Sequence, residues 1–303
     1  MHNRIPFHIV CIDWSKHEDK RRGWWQEKDT NLIKPLSIGN LTLESILESF
    51  KHTDGPTLIG IDAAMGAPYK VIQQFSVDQE KNPTGFFDWI TWLFEFGHPD
   101  NPVSTPEEWH YSRPFIHIPP GKGSKIAFKH FGVPLHRDVE AGLNSNSPLI
   151  VSGIPGTVGS GSRELWREFC SLNIRDASNI SFWPYDGDLK HLLMNNQIVL
   201  AEIYPKACYG IALGDSLPTK LVALAKTRQN TREKTINSLQ EKYLHYLDIS
   251  DLDQCRNNED EFDAMISVVA LHRLFNSNLS VRPKGPAFSS EGGVLGKEAL
   301  SLN

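Results

Sequence analysis

The alternation of apolar and polar residues predicts a meander of three strands, a helix and a fourth strand at the start of the chain. The first strand is the compact apolar run FHIVCID. The helix follows from LTLESILESF, whose apolar residues recur three and four positions apart, and Asn40 or Thr42 is suited to cap it. The predicted elements are strands over residues 7–13, 23–28 and 32–38, a helix over 41–50 and a strand over 56–63.

The middle of the chain has a different character. Residues 67–150 are rich in aromatic residues, proline and glycine, and within them FFDWITWLFEF at 86–96 has the apolar spacing of a helix. We therefore predict an insertion at 67–150 that contains one helix and otherwise loops.

Strand and helix patterns alternate again after the insertion, and they predict an α/β fold around one sheet. The main domain is expected to cover residues 1–275, and the polar residues 276–303 are expected to form a loosely held tail. The predicted elements are a glycine-rich turn over 153–162, a helix over 163–170, strands over 180–185 and 197–204, a mostly helical stretch over 217–247 and a closing helix that begins at the acidic residues 259–263.

Net charge, cysteine content and the lack of long apolar runs argue against several classes of protein. The net charge is −5 over 303 residues, so a contact with nucleic acid has to use local basic patches rather than a global field. The four cysteines form no CxxC pair, which argues against a zinc module or a disulfide framework. The N-terminus lacks a signal-peptide pattern, and no run approaches the roughly 20 apolar residues of a membrane span. We expect a cytoplasmic protein with no membrane partner; the oligomeric state stays open.

Five carboxylates lie where apolar residues would pack better. Asp13 ends the first predicted strand, Asp62 lies near the end of the fourth, and Glu202 interrupts the apolar strand VLAEIYP. Asp260 and Asp263 open the closing helix and share one face, being three residues apart. Taken singly, each has a structural explanation as a turn residue, a cap, an ion-pair partner or a charge at the helix N-terminus.

Taken together, these acids favour a shared cation. A buried carboxylate without a partner costs several kcal/mol, and strand ends in an α/β sheet gather side chains from distant parts of the sequence into one crevice. Oxygen ligands select hard ions, so the expected cofactor is Mg²⁺ or Mn²⁺. Two such ions about 3.5–4 Å apart are suited to hydrolysis of a phosphodiester bond.

Six motifs carry a resemblance to a known family. They are CIDWSK, IGIDAAMG, VGSGS, FWPYDG, AEIYPKA and DEFDAMISVVAL. Together, and in this order, they resemble the DUF429 family over residues 7–275, and EGG at 291–293 is similar to a short family motif near the C-terminus. The resemblance implies a ribonuclease H-like fold, which begins with three antiparallel strands, a helix and a parallel fourth strand.

The resemblance also implies an active site. The first acid of such folds lies on strand one, the second on strand four and the last on the C-terminal helix, which makes Asp13, Asp62 and Asp263 the expected metal ligands. Glu202 and Asp260 are further expected catalytic residues. The implied activity is that of a metal-dependent nuclease acting on a nucleic acid or a nucleotide.

Two other functions stay open. One is an ATP-dependent phosphotransferase of the actin and sugar-kinase type, because DWS and DAAMG are vaguely similar to its phosphate loops. The absence of a second fold copy argues against it. The other is a non-catalytic nucleic-acid or protein binder on a nuclease fold.

Four basic residues are candidates for binding phosphate. Arg163 follows the glycine-rich segment GTVGSGS, whose backbone N–H groups are suited to an anion ahead of a helix; a tight structural turn is the alternative. Lys206, Lys226 and Arg232 follow the EIYP strand, where they form either a phosphate-binding face or an ordinary solvated helix face.

Overall fold

The computed structural model of the chain describes residues 4–79, 85–121, 123–154, 157–243, 246–277, 279 and 288–302. The fold consists of two compact units. The first contains residues 1–62, 179–283 and 294–303, and the second contains residues 63–178 and 284–293.

The start of the chain forms the antiparallel half of a sheet and one central parallel strand. Its elements are β1 (His8–Asp13), β2 (Arg22–Gln26), β3 (Leu32–Pro35), α1 (Leu43–Phe50) and β4 (Thr57–Ile61). β1, β2 and β3 pair antiparallel, and β4 returns parallel to β1. The hydroxyl of Thr42 accepts a hydrogen bond from the Ser45 amide at 3.1 Å and so caps α1. The order of elements predicted for this segment is confirmed.

The second unit combines helices with irregular segments. Its elements up to residue 171 are α2 (Tyr69–Asp78), α3 (Phe86–Phe96), β5 (Ile116–His117), α4 (Ser124–His130), β6 (Ile150–Ser152) and α5 (Gly159–Ser171). The bounds of α3 agree with the prediction, but the expectation of loops elsewhere in 67–150 is wrong where α2, α4 and the short paired strands β5 and β6 form. α2 buries Val71, Ile72 and Phe75, and α4 buries Phe128 in a core cluster with Val133 and Ile150.

The glycine-rich segment is also partly helical. We predicted a turn over 153–162, yet α5 begins at Gly159. A Cβ atom at Gly159 would lie 2.5 Å from the carbonyl oxygen of Ile150 and 2.7 Å from that of Pro148. Close packing thus accounts for this glycine.

The rest of the first unit completes the sheet and covers it. Its elements are β7 (Ile180–Trp183), α6 (Leu189–Asn195), β8 (Ile198–Glu202), α7 (Pro205–Leu213), α8 (Gln229–Tyr243), β9 (Asp248–Ile249), α9 (Leu252–Asn257) and α10 (Glu259–Phe275). The strand order is β7-β8-β4-β1-β2-β3-β9, with β7, β8, β4 and β1 mutually parallel. The stretch predicted as mostly helical, 217–247, becomes helical only at Gln229.

The long helix α10 is the main cover of the sheet. It packs against β1, β2 and α7, and from Phe262 to Leu274 all but one of its side chains are buried. This explains why its sequence is apolar all round rather than amphipathic. Among the described residues, no helix is both long and apolar enough to cross a bilayer.

The end of the chain is more ordered than expected. α11 (Phe288–Glu291) belongs to the second unit, where the Glu291 carboxylate accepts hydrogen bonds from the amides of Tyr69 and Val139 at 3.0 and 3.1 Å. In the first unit, the Leu295 amide donates to the carbonyl of Glu202 at 2.8 Å, and Leu295 is fully buried. The prediction of a loosely held tail is therefore wrong for these residues.

Candidate carboxylate site

Two of the predicted acids lie side by side at the ends of parallel strands. Asp13 is the last residue of β1, and Asp62 directly follows β4. The register pairs Ile12 with Ile61, and the Asp62 amide donates to the carbonyl of Ile12 at 2.9 Å. Since side chains alternate along a strand, the two carboxyl groups share one face of the sheet. They lie within hydrogen-bonding reach of each other.

Helix α10 brings the third acid to the same place. Asn258 caps the helix, because its side-chain oxygen accepts hydrogen bonds from the amides of Asp260 and Glu261 at 2.8 and 3.1 Å. Asp263 then lies one turn into the helix and is only 1% exposed. The charges of Asp263 and Asp260 both act on Asp13, so the structure brings four of the five predicted acids together.

Glu202 is the exception. It is buried at the end of β8, and the register pairs it with Ile61, the residue before Asp62. The alternation of side chains therefore places it on the opposite face of the sheet from Asp62. Its charge contributes only as the last of several causes to the raised pKa of Asp62.

The protonation of the paired acids is strongly perturbed. Burial, and after it the charges of Asp62 and Asp263, raises the pKa of Asp13 well above its ordinary value. Burial and the charge of Asp263 likewise raise the pKa of Asp62 to about 7, although the nearby ammonium of Lys226 works against the rise. Burial and the neighbouring carboxylates thus disfavour the charged forms of both groups, and a bound cation would offset that cost.

Asp263 has partners that the sequence did not reveal. One of its carboxylate oxygens accepts a hydrogen bond from the hydroxyl of Tyr209, and the other accepts one from the ammonium of Lys226. Burial raises the pKa of Asp263, and these two donors oppose the rise. Tyr209 lies on α7, which packs against α10, so tertiary packing rather than a sequence motif places its hydroxyl here.

Lys226 and Arg232 were both candidates for binding phosphate, and the structure gives them different surroundings. The side chain of Lys226 is 33% exposed beside Asp263. Arg232 is buried, and its guanidinium donates to the backbone carbonyls of Lys226, Cys255 and Arg256. The expectation of a phosphate contact is therefore corrected for Arg232, whose donors fix the backbone next to the site.

The two remaining basic candidates lie in different units. Lys206 is half-buried in the first turn of α7, in the first unit. Arg163 belongs to α5 in the second unit, where its guanidinium donates to the carbonyl of Pro99 at 3.2 Å and lies 3.9 Å from the carboxylate of Asp100. Its guanidinium carbon also lies 5.6 Å from the centre of the Phe115 ring.

The other acids at the start of α10 are not equivalent. Glu261 accepts a hydrogen bond from the indole of Trp24 at 2.7 Å and forms an ion pair with Arg22 at 3.2 Å. These contacts anchor the helix to β2. Of the four acids at the start of α10, Glu261 anchors the helix, and Asp260 and Asp263 belong to the site.

The chemistry of the donors determines which metal they fit. Among the described residues, no group of three or more His, Cys, Asp or Glu side chains has the arrangement of a metal site, and both oxygens of Asp263 are hydrogen-bonded. The oxygens of Asp13 and Asp62 nevertheless fit Mg²⁺ or Mn²⁺. Magnesium is commonly held by one or two carboxylates together with substrate phosphates and waters.

Comparison with known proteins adds no assignment. No protein-family model matches the chain, and neither curated proteins nor solved structures include a match. The resemblance to the DUF429 family consequently stays a prediction.

Proposed function

We propose that this chain is a metal-dependent phosphodiesterase that hydrolyses nucleic-acid phosphodiester bonds on a ribonuclease H-like core. The observation that carries the proposal is the pair of carboxyl groups of Asp13 and Asp62, which lie on neighbouring parallel strands and whose pKa values are both raised. Together with the acids of α10, a helix that is distant in sequence, these two acids form an oxygen-rich centre suited to a hard divalent ion.

The fold supports the proposal. The ribonuclease H-like expectation requires three antiparallel strands, a helix and a parallel fourth strand, and the first unit begins with this order. It also requires acids on strands one and four and on the last long helix. Asp13 ends β1, Asp62 directly follows β4 and Asp263 lies in α10.

Each residue of the site has a separate role in the proposed reaction. Asp13 and Asp62 would hold Mg²⁺ or Mn²⁺, which would polarise the scissile phosphodiester and activate the attacking water. Asp260, half-buried in the first turn of α10, adds negative charge beside Asp13. Asp263 orients the hydroxyl of Tyr209 and the ammonium of Lys226. The partly exposed Lys226 is the basic group placed to meet a phosphate at this centre.

Cleavage assays with purified variants test the proposal. Fluorescently labelled single-stranded and duplex DNA and RNA would be incubated with the wild-type protein in Mg²⁺, Mn²⁺ or EDTA. We expect divalent-ion-dependent cleavage that Asp13→Asn and Asp62→Asn each reduce by at least about 100-fold, because each removes a metal ligand. Asp54→Asn is the matched control, since the side chain of Asp54 is fully exposed and forms an ion pair with Lys28.

One observation favours a second candidate, a non-catalytic nucleic-acid binder. Both oxygens of Asp263 are hydrogen-bonded, and no three-acid metal group occurs in the described part of the chain. Nucleic-acid binding that is insensitive to EDTA, without cleavage of any of these substrates, would favour the binder and contradict the phosphodiesterase.

A further inference from the structure

The carboxylate site contains a positive charge of its own. The Lys226 ammonium donates a hydrogen bond to Asp263, and its charge also acts on Asp13 and Asp62. Burial opposes the charged form of Lys226, but Asp263, and after it Asp13 and Asp62, raise its pKa above the ordinary value. The Lys226 ammonium thus interacts with three carboxyl groups that come from β1, the end of β4 and α10.

The position of this ammonium is built into the fold. The carbonyl of Lys226 accepts a hydrogen bond from the buried Arg232 guanidinium, which also bonds the carbonyls of Cys255 and Arg256 in the last turn of α9. Asp263, at the other end of the contact, is held by the rigid helix α10 and by Tyr209. Lys226 therefore differs from a surface lysine, whose side chain samples many conformations and gains little from one ion pair.

We propose that Lys226 is an internal counter-cation that competes with a divalent metal ion for the carboxylate site. The ammonium neutralises part of the negative charge that would attract the ion, and it repels an ion held by Asp13 and Asp62. Metal binding is consequently weak without substrate. A substrate phosphate supplies the ammonium with another anionic partner, so metal and substrate bind together. This inference rests on the proposed function, because it assigns regulation to the same site.

The test is a titration of the protein with Mn²⁺ alone, followed by calorimetry. Lys226→Met removes the charge and keeps an extended side chain; Lys226→Gln removes the charge but can still donate a hydrogen bond to Asp263, which favours folding. We expect both variants to bind Mn²⁺ about tenfold more tightly than the wild type, because each removes a positive charge that repels the ion from a few ångströms away. Circular dichroism would verify that each variant is folded.

Two control variants make the result specific. Lys226→Arg keeps the positive charge and hence the repulsion of the ion, so its affinity for Mn²⁺ should stay within about threefold of the wild type. Lys242→Gln removes a lysine that donates to the carbonyl of Leu213 at 2.8 Å and lies 3.8 Å from the exposed carboxylate of Asp215. This change should leave the affinity unaltered.

The outcomes separate this inference from the proposed function. Suppose that Mn²⁺ binds saturably, and that the uncharged variants bind it no more tightly than the wild type. Lys226 would then not compete with the metal ion, but the metal site itself would be supported. Absence of Mn²⁺ binding in the wild type and in both uncharged variants would overturn the competition together with the metal dependence of the proposed function. Binding detected only after the charge is removed would support the inference.

Discussion

Replacement of the buried Arg232 by methionine should destabilise the part of the fold that lies next to the carboxylate site. In the folded protein the Arg232 guanidinium donates to three backbone carbonyls, those of Lys226, Cys255 and Arg256. Two of them belong to the last turn of α9, where carbonyls have no partner within the helix. Methionine fills much of the same space but donates no hydrogen bond.

The expected cost follows from these three acceptors. A buried carbonyl that loses its donor costs about 1–3 kcal/mol. Some of these carbonyls are only partly buried, so water can replace part of the loss and the lower end applies. We therefore expect Arg232→Met to reduce the free energy of unfolding by about 3 kcal/mol in total. With an m-value of about 3 kcal/mol per M, the urea midpoint falls by about 1 M.

Urea unfolding followed by tryptophan fluorescence measures this change. Arg228→Met is the matched control, because Arg228 lies four residues earlier and its side chain is exposed. The control should shift the midpoint by less than about 0.2 M, since surface substitutions usually change stability by no more than about 0.5 kcal/mol. Equal midpoints for Arg232→Met, Arg228→Met and the wild type would refute the structural role assigned to Arg232.

Three further predictions concern packing, helix anchoring and pH. Gly159→Ala should lower the melting temperature in a thermal-shift assay, because its Cβ would lie 2.5 Å from the carbonyl oxygen of Ile150 and overpacking costs about 1–3 kcal/mol; an unchanged melting temperature would contradict the close packing. Trp24→Phe removes the donor to Glu261 and should reduce the free energy of unfolding, measured in urea, by about 1–2 kcal/mol, whereas no loss would show that the bond does not anchor α10. Burial raises the pKa of Asp62 to about 7, so between pH 4 and 7 the folded state holds more protons than the unfolded state, and this residue makes the free energy of unfolding fall as pH rises. In EDTA that fall is up to about 1.4 kcal/mol per pH unit for one proton; Asp62→Asn should flatten it, and an identical pH dependence in the variant would contradict the raised pKa.

The sheet and the positions of its acids were predictable because both depend on local pattern. At Asp13 and Asp62 a short apolar run ends in an acid. The apolar run indicates a buried strand, and the acid indicates where that strand ends. Asp263 was predictable from helical spacing, since a carboxylate one turn into an apolar helix conflicts with simple burial. These signals need no knowledge of the tertiary structure.

The surroundings of those acids were not predictable in the same way. Arg232 lies in a mixed-charge helix whose pattern favours a solvated face, yet the ends of α9 and of the preceding loop cover it. Tyr209 contacts Asp263 only because α7 packs against α10. The glycine at 159 is typical of turns, but here it permits close approach of a helix to backbone carbonyls. Each of these outcomes depends on contacts between residues that are distant in sequence.

Mn²⁺ binding in the presence of a substrate that cannot be cleaved tests most directly whether Asp13 and Asp62 hold a metal ion. Calorimetric titration of Mn²⁺ into the protein saturated with a phosphorothioate oligonucleotide would be compared for the wild type, Asp13→Asn, Asp62→Asn and the exposed-site control Asp54→Asn. We expect saturable binding to the wild type and to the control, and binding weakened at least about tenfold by Asp13→Asn or Asp62→Asn. Equal Mn²⁺ affinity in all four proteins, or no binding to any of them, would contradict the assignment of Asp13 and Asp62 as metal ligands.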